Sequence, residues 1–216
     1  MIEHTDITIL GTTTLKNKLS ITDPQQLATA EADFTAFRLA ELRIAPIPGG
    51  FDSVHLQEIH HHVYQDLYDW AGELRRVDAG NRPVPEVATS LDAVFDRLAR
   101  ENHLKGGTPE EWSHSASTYI YELGTIRPFL TGNEVALREF ADELALKNNL
   151  SLQWDTAPEL GTNDAMRHLD RLEQSANIRR MVMLAMDTDP GSLRPSRGTV
   201  MERGIGRLFS AGAPLP

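Results

Sequence analysis

Apolar residues recur every three or four positions through most of the chain, which is the spacing of amphipathic helices. The first predicted helix begins at Asp23-Pro24, an N-cap residue followed by a proline in the first turn, and the Pro- and Gly-rich segment 46–51 ends it. The second follows the apolar positions from Leu56 to Trp70 and is expected to end at Gly72. Residues 75–88, with one Gly and two Pro, predict a loop or an irregular hairpin.

Further helices are predicted along the rest of the chain. Thr89, together with Asp92, can cap the third helix. Thr108 and Glu111 form a capping box for the fourth, and a turn-like segment at 125–134 precedes the fifth. A sixth is expected over 162–186. Because no run of alternating strand positions is present, the sequence predicts an all-α bundle.

The composition changes near the end of the 216-residue chain. The segment 187–216 holds five Gly and four Pro with little periodic apolar pattern. We therefore expect one domain over 1–186, followed by a flexible tail over 187–216.

Charge and cysteine content exclude several classes of function. The chain carries 21 Lys and Arg against 31 Asp and Glu, a net charge of −10, which argues against a general binder of nucleic acid. It has no cysteine, and so neither a disulfide framework nor a thiol nucleophile. No apolar stretch is long enough to span a membrane, and the N-terminus lacks a basic signal-peptide start. These features predict a cytoplasmic protein, or one exported as an effector without a cleavable signal peptide.

The segment with the most chemical content is TIRPFLTGNEVALREFADELA, residues 125–145. Gly132-Asn133 opens a helix directly after a turn, and the unpaired amides of such a first turn can bind an anion. Arg138 lies one turn further and could reach a bound phosphate. Taken alone, a Gly-Asn pair before a helix is more commonly explained by ordinary turn chemistry.

This segment resembles the signature of Fic-domain proteins, H-P-F-x-[D/E]-G-N-[G/K]-R-x-x-R. It matches at Pro128, Phe129, Gly132, Asn133 and Arg138, and the segments 16–42 and 55–78, with the phrase DWAGELR, are also similar to Fic domains. The resemblance covers about 10–185. It implies a fold of six to eight helices with a small β-hairpin flap, and transfer of AMP from ATP to a hydroxyl of a target protein with the help of Mg²⁺.

The catalytic and metal-binding positions of that signature are altered here. Arg127 stands where the family has the catalytic His, and a guanidinium cannot accept a proton from the target hydroxyl. Thr131 replaces the acidic residue that binds magnesium, and a hydroxyl is a weaker ligand for a hard cation. Arg127 is therefore expected to be non-functional as a base, and no metal-binding set is predicted.

The phosphate-binding positions are altered as well. Glu134 puts a negative charge beside the anion-binding amides, and Val135 replaces the first arginine of the signature. Gly132, Asn133 and Arg138 remain as the predicted nucleotide- or anion-binding residues. We expect ATP and Mg²⁺ to bind weakly or not at all, and a pairing of Arg127 with Glu134 would block the site.

Two further elements of the family, the flap that holds the target and the inhibitory helix, are also altered. The flap segment AGNRPVPEVATS contains Pro83 and Pro85, which remove two backbone donors that strand pairing with a target would use. The inhibitory pattern [S/T]-x-x-x-E-[G/N] has no match, because Glu101-Asn102 is preceded by Arg97 at the first position. Inhibition of this protein would therefore need a separate inhibitor chain. If the protein has no activity, it needs no inhibitory element.

Other candidate residues have simpler interpretations. His55 and the run His60, His61 and His62 lack the spacing of a zinc site and are interpreted as a polar helix face. Arg75-Arg76 is interpreted as a surface pair in preference to an anion contact.

Two functions agree with this sequence. The favoured one is a Fic-fold pseudoenzyme that acts by binding a protein, such as a target, an inhibitor chain or an active Fic homologue. The alternative is an active nucleotidyltransferase or phosphotransferase with a non-standard base. The oligomeric state is left open.

Overall fold

The computed structural model describes residues 7–77 and 83–152. Five α-helices make up most of this part: α1 Pro24–Ile44, α2 Ser53–Tyr64, α3 Val87–Arg100, α4 Pro109–Ile126 and α5 Asn133–Lys147. The described ranges contain no β-strand, and an isolated antiparallel bridge joins Thr8 and Leu15. The predicted all-α class is confirmed, while the sixth helix and the tail lie outside the described residues.

Side-chain caps begin three of the helices, because the first amides of a helix have no backbone partner. Asp23 accepts a hydrogen bond of 2.8 Å from the Gln26 amide at the start of α1. At the start of α4, Thr108 and Glu111 form both hydrogen bonds of a capping box. These two caps were predicted, and a third, Asp52 at the start of α2, was missed by the sequence analysis.

The predicted end of the second helix is wrong. Helix α2 ends at Tyr64, and the chain then continues through hydrogen-bonded turns to Gly72. Gly72 has a φ of 86°, and a Cβ there would lie 2.9 Å from the Cβ of His61. Leu67 keeps the buried place that helical spacing predicts for it, but in a turn that folds back against α2.

The predicted start of the third helix is also wrong. A short 3₁₀ turn, Val84–Glu86, leads directly into α3, so Thr89 lies within the helix and does not cap it. The two prolines at 83 and 85 suit a helical start, where a missing backbone donor costs nothing. The predicted β-hairpin flap is therefore absent over 83–90, and its other part lies outside the described residues.

Helix α2 lies at the centre and packs against α1, α3 and α5, while α4 packs against α3 and α5. Its core residues Leu56, Ile59 and Val63 are fully buried. No helix within the described residues is both long enough and apolar enough to cross a bilayer.

Two carboxylates on α5 lie in this core. Glu139 and Glu143, one helical turn apart, are each only 6% exposed, and a Glu143 oxygen lies 2.8 Å from Nε2 of His55. Burial, together with the neighbouring Glu143, raises the pKa of Glu139 to about 7, while Arg43 opposes the rise. Burying an acid costs less when it is protonated, so Glu139 favours the folded state most at low pH.

We expect Glu139→Gln to stabilise the protein at pH 8 and to have a much smaller effect at pH 5. Because the folded-state pKa is raised above its ordinary value, the stability contributed by Glu139 is lost as the pH rises through about 7. The difference between the two proteins at pH 8 should be on the order of 3 kcal/mol. Thermal unfolding at both pH values measures it, with the exposed Glu58→Gln as a control. An equal change in Tm at both pH values would contradict this account.

Candidate functional site

The loop that joins α4 to α5 contains the residues singled out by the sequence. Arg127 ends α4 in the left-handed conformation, with φ 48° and ψ 67°, and Gly132 precedes α5 with a φ of 72°. A Cβ at Gly132 would lie 2.3 Å from Cε2 of Tyr64, so no side chain fits there. Gly132 is thus required both by its backbone conformation and by the close approach of the Tyr64 ring.

Asn133 closes this loop with its side chain. Its Oδ1 accepts a hydrogen bond from the backbone N–H of Phe129, and its Nδ2 donates to the carbonyl of the same residue, both at 2.9 Å. The carboxamide therefore holds the turn, and the predicted contact of Asn133 with an anion would come from its backbone amide.

Arg75 binds the first part of the loop, residues 126–128. Its Nε donates to the Arg127 carbonyl at 2.7 Å and its Nη2 to the Ile126 carbonyl at 3.3 Å. Its own backbone N–H donates to the carbonyl of Pro128 at 2.8 Å. The guanidinium satisfies carbonyls at the end of α4, where helical partners are missing. Interpreting Arg75 as a surface residue is wrong, because it is 4% exposed, whereas Arg76 is exposed and pairs with Glu73.

His60 supports the loop from α2. Its Nε2 lies 3.1 Å from the Thr131 carbonyl, its Nδ1 accepts a hydrogen bond from the Gly72 amide at 2.9 Å, and its ring stacks on that of Phe129 at 3.9 Å. Burial lowers the pKa of the imidazole to about 4, so His60 is neutral at physiological pH.

The interpretation of these histidines as a polar helix face is therefore wrong for two of them. His60 and His55 are both buried, and only His61 is exposed. Among the residues that the structure describes, no group of His, Asp and Glu side chains is arranged to hold a metal ion.

The first turn of α5 has no side-chain cap, so its amides keep the arrangement of an anion-binding helix start. Glu134, however, lies there and pairs with Arg138, with 2.7 Å between Oε1 and Nη2. The suggested pairing of Glu134 with Arg127 is wrong. Glu134 and Arg138 are four residues apart on α5, and that spacing brings oppositely charged side chains together.

The ring of Tyr64 lies beside Gly132 at this helix start, and the ring of Tyr68 lies 6.2 Å from that of Tyr64. Tyr68 donates a hydrogen bond to Glu31 of α1, and burial together with the charge of Glu31 and Glu134 raises the pKa of Tyr64. Both phenols remain protonated at neutral pH. His60 has both ring nitrogens in hydrogen bonds, so it does not supply the base that residue 127 lacks.

Sequence reasoning missed Tyr64, His60 and Arg75, three residues outside the signature that shape its loop. The available signal was their position: His60 and Tyr64 precede the DWAGELR phrase, and Arg75 ends it.

Comparisons with known proteins identify the family of this chain. Residues 50–145 match the model of the Fic/DOC family. The protein adenylyltransferase VbhT of Bartonella schoenbuchensis is 35% identical over 144 residues, which cover 64% of this chain and 30% of VbhT. The probable protein adenylyltransferase Fic of Escherichia coli is 31% identical over 160 residues, 72% of this chain and 79% of that protein. The corresponding Salmonella typhimurium protein is 30% identical, over 83% of this chain and 92% of its own length.

Solved structures show the same fold. The N-terminal FIC domain of Bep8, a VirB-translocated effector of Bartonella sp. 1-1C, has a TM-score of 0.77 at 23% identity, covering 88% of this chain and 98% of that one. BepC of Bartonella tribocorum, solved with bound AMPPNP, has a TM-score of 0.71 at 23% identity. The match covers 82% of this chain and 95% of the BepC chain. From its signature loop, its helices and these relatives, the chain belongs to the Fic/DOC family.

Proposed function

We propose that this chain is a degenerate Fic-fold protein, inactive or strongly impaired in AMP transfer, that acts by binding another protein. The observation that carries the proposal is the Glu134–Arg138 ion pair of 2.7 Å at the start of α5. It neutralises the one cation that remains from the two arginines of the family signature.

The first argument concerns the chemical step. Transfer of AMP to a hydroxyl is assisted by a base that takes the hydroxyl proton, and Arg127 occupies the position of that base. A guanidinium stays protonated, and the buried His60 already uses both ring nitrogens. Loss of a general base alone lowers a rate by roughly 10²–10⁴-fold.

The second argument concerns nucleotide binding. A magnesium-bound triphosphate fits this loop poorly, because Thr131 is an uncharged ligand and Val135 carries no cation. Arg138 would have to leave Glu134 to contact a phosphate, and the Glu134 carboxylate would repel it. Losses of roughly 1–3 kcal/mol at each of two such contacts would weaken a micromolar Kd to about millimolar.

The third argument concerns the mode of action. The loop keeps its shape through Asn133, Arg75 and His60 even though its charged positions are altered. Because the fold is kept while the residues needed for AMP transfer are altered, we favour a role in binding another protein. That partner would be a target protein, an inhibitor chain or an intact Fic homologue. Relatives described as VirB-translocated effectors support export as an effector, and the cytoplasm is the other proposed location.

ATP should bind with a Kd in the millimolar range or not measurably, with or without Mg²⁺. Isothermal calorimetry of the full chain measures this, and incubation with labelled ATP and a cell lysate measures transfer. Micromolar affinity, or label incorporation that disappears in Arg138→Ala, would overturn the pseudoenzyme and favour the active transferase with a non-standard base.

Glu134→Gln should strengthen ATP binding by about tenfold, because it frees Arg138 and removes a repulsive charge near the phosphates. The control is Glu110→Gln, which changes the same residue type in the first turn of α4. The gain should shrink as salt is raised. Equal effects of the two substitutions would show that the ion pair does not control binding.

Arg127→His alone should produce no AMP transfer, because phosphate binding stays impaired. Combining it with Thr131→Glu, Glu134→Gly and Val135→Arg should produce measurable transfer in the labelled-ATP assay, because base, metal ligand and phosphate contact return together. AMP transfer by Arg127→His alone would contradict this expectation, because it would show that the missing base is the sole defect.

A further inference from the structure

We infer that His60 is a positioning residue that holds the part of the signature loop nearest α5 in its ordered shape. Its imidazole lies between the Gly72 turn and the Thr131 carbonyl of the loop and makes a hydrogen bond to each. This inference goes beyond the proposed function, because it holds whether or not the chain binds ATP.

The hydrogen bonds fix one tautomer of the ring. The Gly72 amide can only donate, so Nδ1 of His60 must be the unprotonated nitrogen. The proton therefore lies on Nε2, which donates to the Thr131 carbonyl at 3.1 Å. Burial supports this neutral form, since the side chain has no exposed surface and its pKa is lowered.

The place of the contact within the loop explains its effect. Thr131 precedes Gly132, whose carbonyl accepts the first hydrogen bond of α5, from Ala136 at 3.1 Å. The orientation of the Thr131 carbonyl therefore helps to set the direction in which α5 begins. The ring also stacks on Phe129 with 18° between the planes, so His60 contacts both ends of the segment 129–131.

If His60 only filled space in the core, its two ring nitrogens would not be needed. A phenylalanine of similar shape could stack on Phe129, but it would leave the Gly72 amide and the Thr131 carbonyl without their partner. Unpaired buried groups are costly, so the loop would move to find other partners or water. Arg75 holds residues 126–128 separately, which confines the expected movement to the half of the loop nearest α5.

Hydrogen exchange of the full-length protein at pH 7 tests the inference. In His60→Phe, the amides of Phe129 and Ala136 should exchange at least about tenfold faster, while core amides of α3 and α4 keep their rates. His60→Gln, whose amide can donate to one group and accept from the other, should restore rates to within about threefold of the unaltered protein.

His61→Gln is the matched control. His61 follows on the same helix, and its Nδ1 lies 2.9 Å from the Ala71 carbonyl, which belongs to the Gly72 turn and not to the loop. We expect no change at Phe129 or Ala136 in this variant. Nitrogen-15 shifts should also identify an unprotonated Nδ1 and a protonated Nε2 in His60.

Three outcomes would overturn the inference. They are uniform acceleration through α3 and α4, unchanged exchange at Phe129 and Ala136, and the opposite tautomer of His60. If His60→Phe does not fold, His60→Asn replaces it, because its short amide reaches only one of the two groups. An intermediate acceleration at Phe129 and Ala136 is then expected, and no acceleration would equally overturn the inference.

Discussion

The structure around the signature loop depends on the burial of one guanidinium, that of Arg75. A buried cation must have partners, and those of this one include the Val77 carbonyl and the carbonyls of Ile126 and Arg127 at the end of α4. The carbonyls at the end of α4 lack helical partners and carry the negative end of the helix dipole, so the two requirements satisfy each other. The turn that follows α2 is thereby joined to the loop that precedes α5, and the left-handed backbone of Arg127 is kept in place.

Local sequence signals predicted what depends on neighbours along the chain. The Asp23 cap, the capping box at Thr108 and the start of α5 after Gly132 all follow from short-range hydrogen bonding, and each is found in the structure. The end of α2 was predicted too late, because Leu67 fits a helical stripe and also packs well in the turns that follow it. Spacing alone does not separate these two arrangements.

The roles of His60 and Arg75 could not be predicted for a different reason. Their partners, Thr131 and Arg127, are more than fifty residues away, and charged or polar side chains are mostly exposed. The Glu134–Arg138 pair, by contrast, has the four-residue spacing that favours an ion pair on a helix.

The packing of Tyr64 against Gly132 has a consequence for how such loops are recognised. A glycine is required there by an aromatic neighbour and by the backbone, and Asn133 is required to tie the turn to Phe129. A chain could therefore retain Gly-Asn for architectural reasons long after losing all affinity for nucleotides. Searches that score these two letters detect the shape of the loop, whereas the identities of residues 127, 134 and 135 report on its chemistry.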